Sequence, residues 1–524
     1  MVILPYIKKI WFLGYKMLAA IFGKKSDHPL ADIKSVQVLL ENLPKNDAHK
    51  SLLELTDWVG SVSEHAEFKL DHQLAVLRMF DDAAQPFVRK LAREYFTPFE
   101  ISKFQENRLW LALDNWSLHV ANAYYTVFNH YCNGEKGSSA IKAQVPLLAA
   151  RMVHAMIMQL KYVCARYGPI NKTLWDHLAQ VYKHAEQHQY LDTPVNLYSS
   201  VAGNTSVKFE VGHLLVWFDV GLTSLSPLSI HLTERIVAQY CVAIDIYAQL
   251  DQFSRLSFDL NRPDEPTRIN LGATTHPAMR FVSMPTIQAR LESLIKVLNK
   301  NIIPDEINLG GNYEAALVTK AAQHLLGHLM APPVRRNPRH SVNITLNVVI
   351  GFDKVVERTD AGLQFTEEEP LHWITLEISA GGFSVALPAE GSDGVGIGSL
   401  LGIQPEGVPH WGVAVVRRLL RDDDNHLYAG AETLTNQVAS VLLNQGGTEL
   451  DDGQLALWLY AKQGESSDEA QILLMKADTF SANRSLKVQL NGKNYLLIPI
   501  GLQEKGLDYD LAKFKRIEQE VGEE

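Results

Sequence analysis

Three arginines, Arg335, Arg336 and Arg339, crowd into the stretch "PVRRNPRHSVNITLNVVI", from Pro333 to Ile350. Guanidinium groups keep their charge at any physiological pH and present a planar fork of donors, so a cluster of them is equipped to hold an anion. The rest of the chain does not share that charge. With 49 Lys and Arg against 59 Asp and Glu its formal charge is -10, which argues against a general nucleic-acid binder, and no DNA partner is expected. Further along, Glu377, Ser379, Gly381 and Gly382 place a carboxylate, a hydroxyl and two unsubstituted backbone positions within one short stretch.

Other candidate chemistry is weaker. His184 and His188, and His324 and His328, are each spaced four apart, which puts both rings of a pair on one helix face. Neither pair contains the glutamate of H-E-x-x-H or an identifiable third ligand, so the first reads as a solvated face, the second as a core or interface edge, and no metal site is assigned. No G-x-S-x-G elbow, G-x-x-x-x-G-K-[ST] loop or C-x-x-C pair occurs, so no catalytic residue and no cofactor are assigned and the protein does not read as an enzyme. "GSDGVGIGSLLG" lacks the setting of a dinucleotide loop, and "DDDNH" at Asp422 to His426 reads as a hairpin turn, because Leu427 stands where a calcium loop needs glycine. Cys132, Cys164 and Cys241 show no paired spacing and read as free thiols of a reducing, cytoplasmic compartment.

Positioning these groups requires two kinds of element. From about Ala31 to Met330 apolar residues recur at helical spacing, as in Leu109, Leu113, Trp116, Val120, Tyr124 and Val127. Val145 to Tyr167 is a further apolar helix, ended by Gly168 and Pro169, and Asn171 is placed to cap the next one. The methionines and aromatics of "RMVHAMIMQLKYV" read as core. After Ala331 the texture changes to "SVNITLNVVIGF", "LHWITLEIS", "GFSVAL", "WGVAVVRRLL" and "LYAGAETL", short strands of a small antiparallel barrel or sandwich. "FDKVVERTDAGLQFTEEEPLHW" is predicted to form an elongated hairpin with an acidic tip at Glu367 to Glu369, and Leu434 to Leu443 a closing helix. "QLALWLYA", "AQILLMKA" and "SLKVQLNGKNYLLIPI" predict more strands, with an Asn-Gly hairpin turn at Asn491.

Arg335-x-x-x-Arg339 followed by Glu377-x-Ser379-x-x-Gly382, with strands in matching order behind them, resembles the paired signature of PilZ domains, bacterial receptors of cyclic di-GMP. The resemblance runs from Pro332 to about Leu434 and does not extend to the helical region. It implies a PilZ-like barrel with cyclic di-GMP as ligand. Arg335 and Arg339 would take phosphate and guanine, Glu377 the guanine N1 and N2 donors, and Ser379, Gly381 and Gly382 would form the supporting turn. Arg336 is a further basic residue able to replace either arginine. The sequence departs from the family pattern in two ways: Glu377 stands where Asp or Asn is usual, and the interval between the two motifs is long.

The N-terminal segment "MVILPYIKKIWFLGYKMLAAIFGKK" is apolar but interrupted by Lys8, Lys9 and Lys16, too charged to span a bilayer. On a helical wheel those lysines face away from Ile3, Ile7, Ile10, Met17, Leu18 and Ile21, a pattern that fits a helix lying on an anionic membrane or one docked on the protein's own body. The expectation is therefore an α+β multidomain protein, cytoplasmic or peripheral at the inner membrane. It comprises a basic amphipathic segment (1–25), a large all-α region (26–330), a PilZ-like β-barrel (331–438) and a further small β module with a charged tail (439–524). Its expected function is that of a cyclic di-GMP effector whose arginine linker couples binding to reorientation of a partner-binding helical domain. The alternative is an interaction scaffold with a degenerate barrel.

Overall fold

The computed structural model describes residues 28–64, 68–200, 203–240, 243–269, 275–330, 337–359, 369–388, 394–445, 453–460 and 470–519. The predicted segment 1–25, Arg335, Arg336 and Cys241 lie outside them. The chain divides into two units. One is helical and is built from residues up to 326; the other holds residues 327 onward together with Val163–Ile170 and Val220–Ile230.

Eleven α-helices precede the barrels among the described residues: α1 (Ile33–Glu41), α2 (Ala48–Glu64), α3 (Leu70–Tyr95), α4 (Lys103–Cys132), α5 (Ser138–Ile141), α6 (Val145–Cys164), α7 (Thr173–Gln187), α8 (Val207–Phe218), α9 (Pro227–Tyr240), α10 (Ile287–Leu298) and α11 (Ala315–Met330). In α4, Leu109, Leu113, Trp116, Val120, Tyr124 and Val127 are all buried, as their three- and four-residue spacing predicts. Ser102 caps this helix by accepting from the Gln105 amide. Asn171 accepts from the Thr173 amide at 3.0 Å where α7 begins. Between α9 and α10 the region also carries a small antiparallel sheet, which its short strands hid from a periodicity reading: β1 (Asp245–Tyr247), β2 (Ser254–Asp259), β3 (Thr267–Arg268) and β4 (Met279–Ser283), in the order β1-β4-β2-β3. No helix among the described residues is long and apolar enough to cross a membrane.

The second unit contains two closed, six-stranded antiparallel barrels. The first consists of β5 (His340–Ile350), β6 (Leu371–Ser379), β7 (Gly382–Ala386), β8 (Leu400–Pro405), β9 (Gly412–Arg421) and β10 (Leu427–Thr435), with helix α12 (Phe352–Thr359) after β5. Leu346, Trp373, Val385, Leu401, Val416 and Ala429 are among the alternating residues that fill it. The second consists of β11 (Val438–Gln445), β12 (Gln454–Leu459), β13 (Ala470–Lys476), β14 (Leu486–Leu490), β15 (Lys493–Lys505) and β16 (Tyr509–Gln519), filled by Val441, Trp458, Leu473, Leu497 and Phe514 among others. The two have one topology. Read around each barrel, the first strand is followed by the second, third, sixth, fifth and fourth, and the fourth closes on the first.

Two local expectations are corrected. The segment after β5 starts with a helix, α12, instead of a hairpin, because Phe352, Val355 and Val356 are spaced to share one helix face; all three are buried between the barrels. Glu367 and Glu368, most of its expected acidic tip, lie outside the described residues. Leu434 to Leu443 is not a helix: Val438 opens β11, and Val441 and Leu443 alternate into the second barrel's core. Asn491 and Gly492 do form the expected turn between β14 and β15, both with positive φ.

An apolar layer joins the barrels. Val349, Val355, Val413 and Val415 from one side meet Val438, Leu457, Leu474 and Tyr509 from the other. Arg417 of β9 spans the layer, donating to both oxygens of Glu504 at 2.7 Å and to Glu432 at 2.8 Å, while Tyr509 donates its hydroxyl to Glu504. The Asp508 carboxylate caps α12 by accepting from the Phe352 amide.

The helical unit buries charge where the sequence suggests only apolar packing. Arg151, His154 and Lys161 lie on α6, in the very segment read as core, and each meets a carboxylate. Arg151, 2% exposed, donates to Asp81 at 3.2 Å and to Asp82 at 2.7 Å; Tyr124, Tyr198 and Gln85 also donate to Asp81. Lys161 holds Glu234 at 2.6 Å, with His213 on its other oxygen at 3.2 Å. Burial is the largest single influence and pushes the Glu234 carboxyl up, but Lys161, Arg235 and His213 together outweigh it and hold the group well below the usual carboxylate range. A buried pair of this kind contributes little over an apolar pair, but removing one member strands the other's charge. Arg151→Ala is therefore expected to destabilise the helical unit by about 3–5 kcal/mol, read as a lowered urea midpoint of the helical circular-dichroism signal; an unchanged midpoint would show that Asp81 needs no counter-ion.

Candidate functional site

Strand β6 carries the second half of the predicted motif, and its parity decides where those side chains go. Trp373 and Thr375 are buried on the barrel's inner side. Strict alternation would send Glu377 inward after them. A β-bulge intervenes: Thr375 pairs with Val385 but Glu377 pairs with Ser384, so Leu376 is the extra residue and the pattern shifts by one. Glu377 consequently shares the outer face with Ser384, whose neighbours Phe383 and Val385 fill the core.

On that face Arg339, just before β5, donates to Glu377 at 2.7 Å, the two side chains being 40% and 41% exposed. The Ser379 hydroxyl donates to the Gly382 carbonyl at 3.2 Å and closes the turn from β6 to β7. The two glycines differ. A Cβ on Gly382 would lie 2.1 Å from the Ala431 carbonyl oxygen of β10, whereas one on Gly381 would meet only Asn337 Nδ2 at an ordinary 3.5 Å. Neither has positive φ, so close strand approach, and not an unusual backbone conformation, explains Gly382.

The sheet register extends the site beyond the motif. Ser341, Glu377, Ser384, Gly430 and Arg418 form one outward row across β5, β6, β7, β10 and β9. Three strand spacings separate Glu377 from Arg418, about 14 Å, and between them stand only the small side chain of Ser384 and the bare backbone of Gly430. Arg418 is exposed and makes no ion pair among the described residues, unlike its neighbour Arg417. A parallel row of Thr345, Ile374, Ala386, Tyr428 and Leu420 is mostly apolar, with Ile374 51% and Leu420 52% exposed. The arrangement is a shallow floor with a carboxylate–guanidinium pair at one end, a second guanidinium at the other and apolar surface alongside. Arg418 was missed in the sequence because "VVRRLL" reads simply as strand; the signal was two adjacent arginines, which a strand must send to different environments.

Other candidate groups among the described residues are less developed. A cavity of 60 Å³ in the helical unit, bounded by Met152, Met156, Gln159, Asn171 and His177 among others, is the size of a water or two. His184 and His188 stack on each other at 4.0 Å, and His184 contacts the Tyr190 hydroxyl. The Asp422 to His426 segment is a hairpin turn in which Asp422 accepts from the His426 amide and the Tyr428 hydroxyl.

Comparison with known proteins gives one further fact. Residues 34–252 match the family model described as cyclic-di-GMP receptor FimW, N-terminal domain. The match lies in the helical region, covers less than half of the chain and stops before the barrels. No curated protein and no solved structure matches the chain.

Gly382→Ala is expected to part β7 from β10 and lower the melting temperature sharply, while Gly381→Ala leaves it nearly unchanged. Equal melting curves for the two variants would refute the close-approach argument.

Proposed function

We propose that this chain is a non-enzymatic receptor for cyclic di-GMP and that the dinucleotide lies on the outer floor of the first barrel. The observation that carries the reading is the bulge at Leu376, which brings Glu377 out beside Arg339 and into one row with Arg418. The match of the helical region to a cyclic-di-GMP receptor's N-terminal domain supports it from a separate part of the chain.

The ligand's two phosphates and two guanines call for guanidinium groups, a carboxylate acceptor and apolar surface. An exposed ion pair contributes little to stability, so the Arg339–Glu377 pair divides at small cost: Glu377 accepts from guanine N1 and N2, and Arg339 turns to phosphate or to O6 and N7. Ser384 and Gly430 leave room for the macrocycle, Ile374 and Tyr428 offer surface to a base, and Arg418 receives the far phosphate or guanine. Arg335 and Arg336 complete the grip from the linker. Drawing that linker onto the barrel is then the step that reorients the helical unit, which serves as the surface for a protein partner.

A second reading has one observation in its favour. Glu377 and Arg339 already satisfy each other, which is how a barrel that no longer binds nucleotide would look. On that reading the protein is an interaction scaffold, and it captures its partner equally well with and without the dinucleotide.

Calorimetric titration separates the two. The unaltered protein is expected to bind cyclic di-GMP, with Arg339→Ala and Arg418→Ala each weakening it about 10- to 100-fold, as loss of a charge-assisted contact does. Absence of heat and of thermal stabilisation in the unaltered protein would reject receptor function; binding that survives Arg418→Ala undiminished would confine the site to the motif.

A further inference from the structure

Because the two barrels share one circuit, β13, β16 and β15 occupy in the second the places that β7, β10 and β9 occupy in the first. The side chains there are of another kind. Ala470, Lys515 and Ile498 form one cross-strand row, Lys487, Leu496 and Ile517 another, and Lys513 stands opposite Gly501 in a third. The alternate positions Leu497 and Phe514 are fully buried, so these rows face outward. In the first of these rows Ala470, Lys515 and Ile498 stand on the strands that carry Ser384, Gly430 and Arg418 in the first barrel, so a lysine and an isoleucine replace the bare glycine and the arginine, and no flat floor remains for a nucleotide.

What remains is an apolar surface studded with cations. Ile498, Ile500 and Ile517 are 37%, 59% and 38% exposed. Lys487, Lys513 and Lys515 make no ion pair among the described residues, and the three rows contain no carboxylate, in a chain whose formal charge is -10. A solvated strand face in an acidic protein would mix both signs of charge with small polar groups. Branched apolar tips among lysine stems instead match the boundary of an anionic bilayer, where the tips enter the acyl edge and the ammonium groups reach lipid phosphates.

We propose that this face of the second barrel docks the protein on anionic phospholipid. Charge complementarity selects the lipid, and the convex outside of a barrel meets a plane at its side-chain tips. The sequence supplies a second element of like chemistry in its first 25 residues, with Lys8, Lys9 and Lys16 among isoleucine and leucine. The docking does not depend on cyclic di-GMP binding.

Vesicle flotation of the full chain tests it. Binding is expected to vesicles of phosphatidylcholine with phosphatidylglycerol, not to phosphatidylcholine alone, and to be released at about 0.5 M salt. K487E/K513E/K515E and I498D/I517D, checked for an unchanged circular-dichroism melt, should each lower it at least about tenfold. The proposal is overturned if the unaltered protein does not float, or if the charge-reversed face floats as well as the original. It is equally overturned if only reversal of Lys8, Lys9 and Lys16 abolishes binding.

Discussion

A strand in a closed barrel has two sides and no third choice: a residue faces either the packed interior or the outside, and its neighbour faces the opposite way. Every feature of the proposed site depends on that constraint and on the one place where β6 breaks it. Without the extra residue at Leu376, Glu377 would follow Trp373 and Thr375 into an apolar interior, where an ionised carboxylate cannot be accommodated unpaired. With it, the carboxylate reaches Arg339, and the register across β7, β10 and β9 carries the same face on to Arg418.

The shared circuit of the two barrels shows how far topology and chemistry come apart. Both solve the same packing problem with alternating aliphatic and aromatic residues. Their outer faces are unconstrained by that core, so glycine and arginine stand on two strands of one barrel where lysine and isoleucine stand on the matching strands of the other. No arginine pair precedes β11, since only Asn436 and Gln437 connect it to β10. The helical unit solves a different problem, placing Arg151, His154 and Lys161 along α6 against buried carboxylates. Their mutual satisfaction fixes which helices may lie beside α6, because any other neighbour would leave a charge unmatched.

The periodic elements were legible in the sequence because their signals are local. The six apolar positions of α4, the change of texture after Ala331 and the Asn491–Gly492 turn each follow from residues a few places apart. What escaped depends on partners distant in the chain. The helix after β5 was hidden because Phe352, Val355 and Val356 find their apolar neighbours in the second barrel, and Leu434 to Leu443 read as helical because five closely spaced apolar residues fit either period. Of the candidate site, the types and spacing of Arg339, Glu377, Ser379 and Gly382 were readable. The bulge that aims Glu377 and the row that adds Arg418 were not, since both are properties of register. Arg151, His154 and Lys161 were overlooked for a related reason: a charged residue looks solvent-bound until the carboxylate it meets is known.

The Arg417–Glu504 tie and the apolar layer beneath it make the paired barrels something other than two modules in series. Val413 and Val415 of the first barrel and Leu457 and Leu474 of the second are interior residues only while both barrels are present, and α12 takes its cap from Asp508 of the second barrel. A chain cut between Thr435 and Val438 would not release a smaller intact barrel but an incomplete one with a newly wetted hydrophobic flank. Gene fusion or domain shuffling could therefore transplant this pair only as an indivisible cassette.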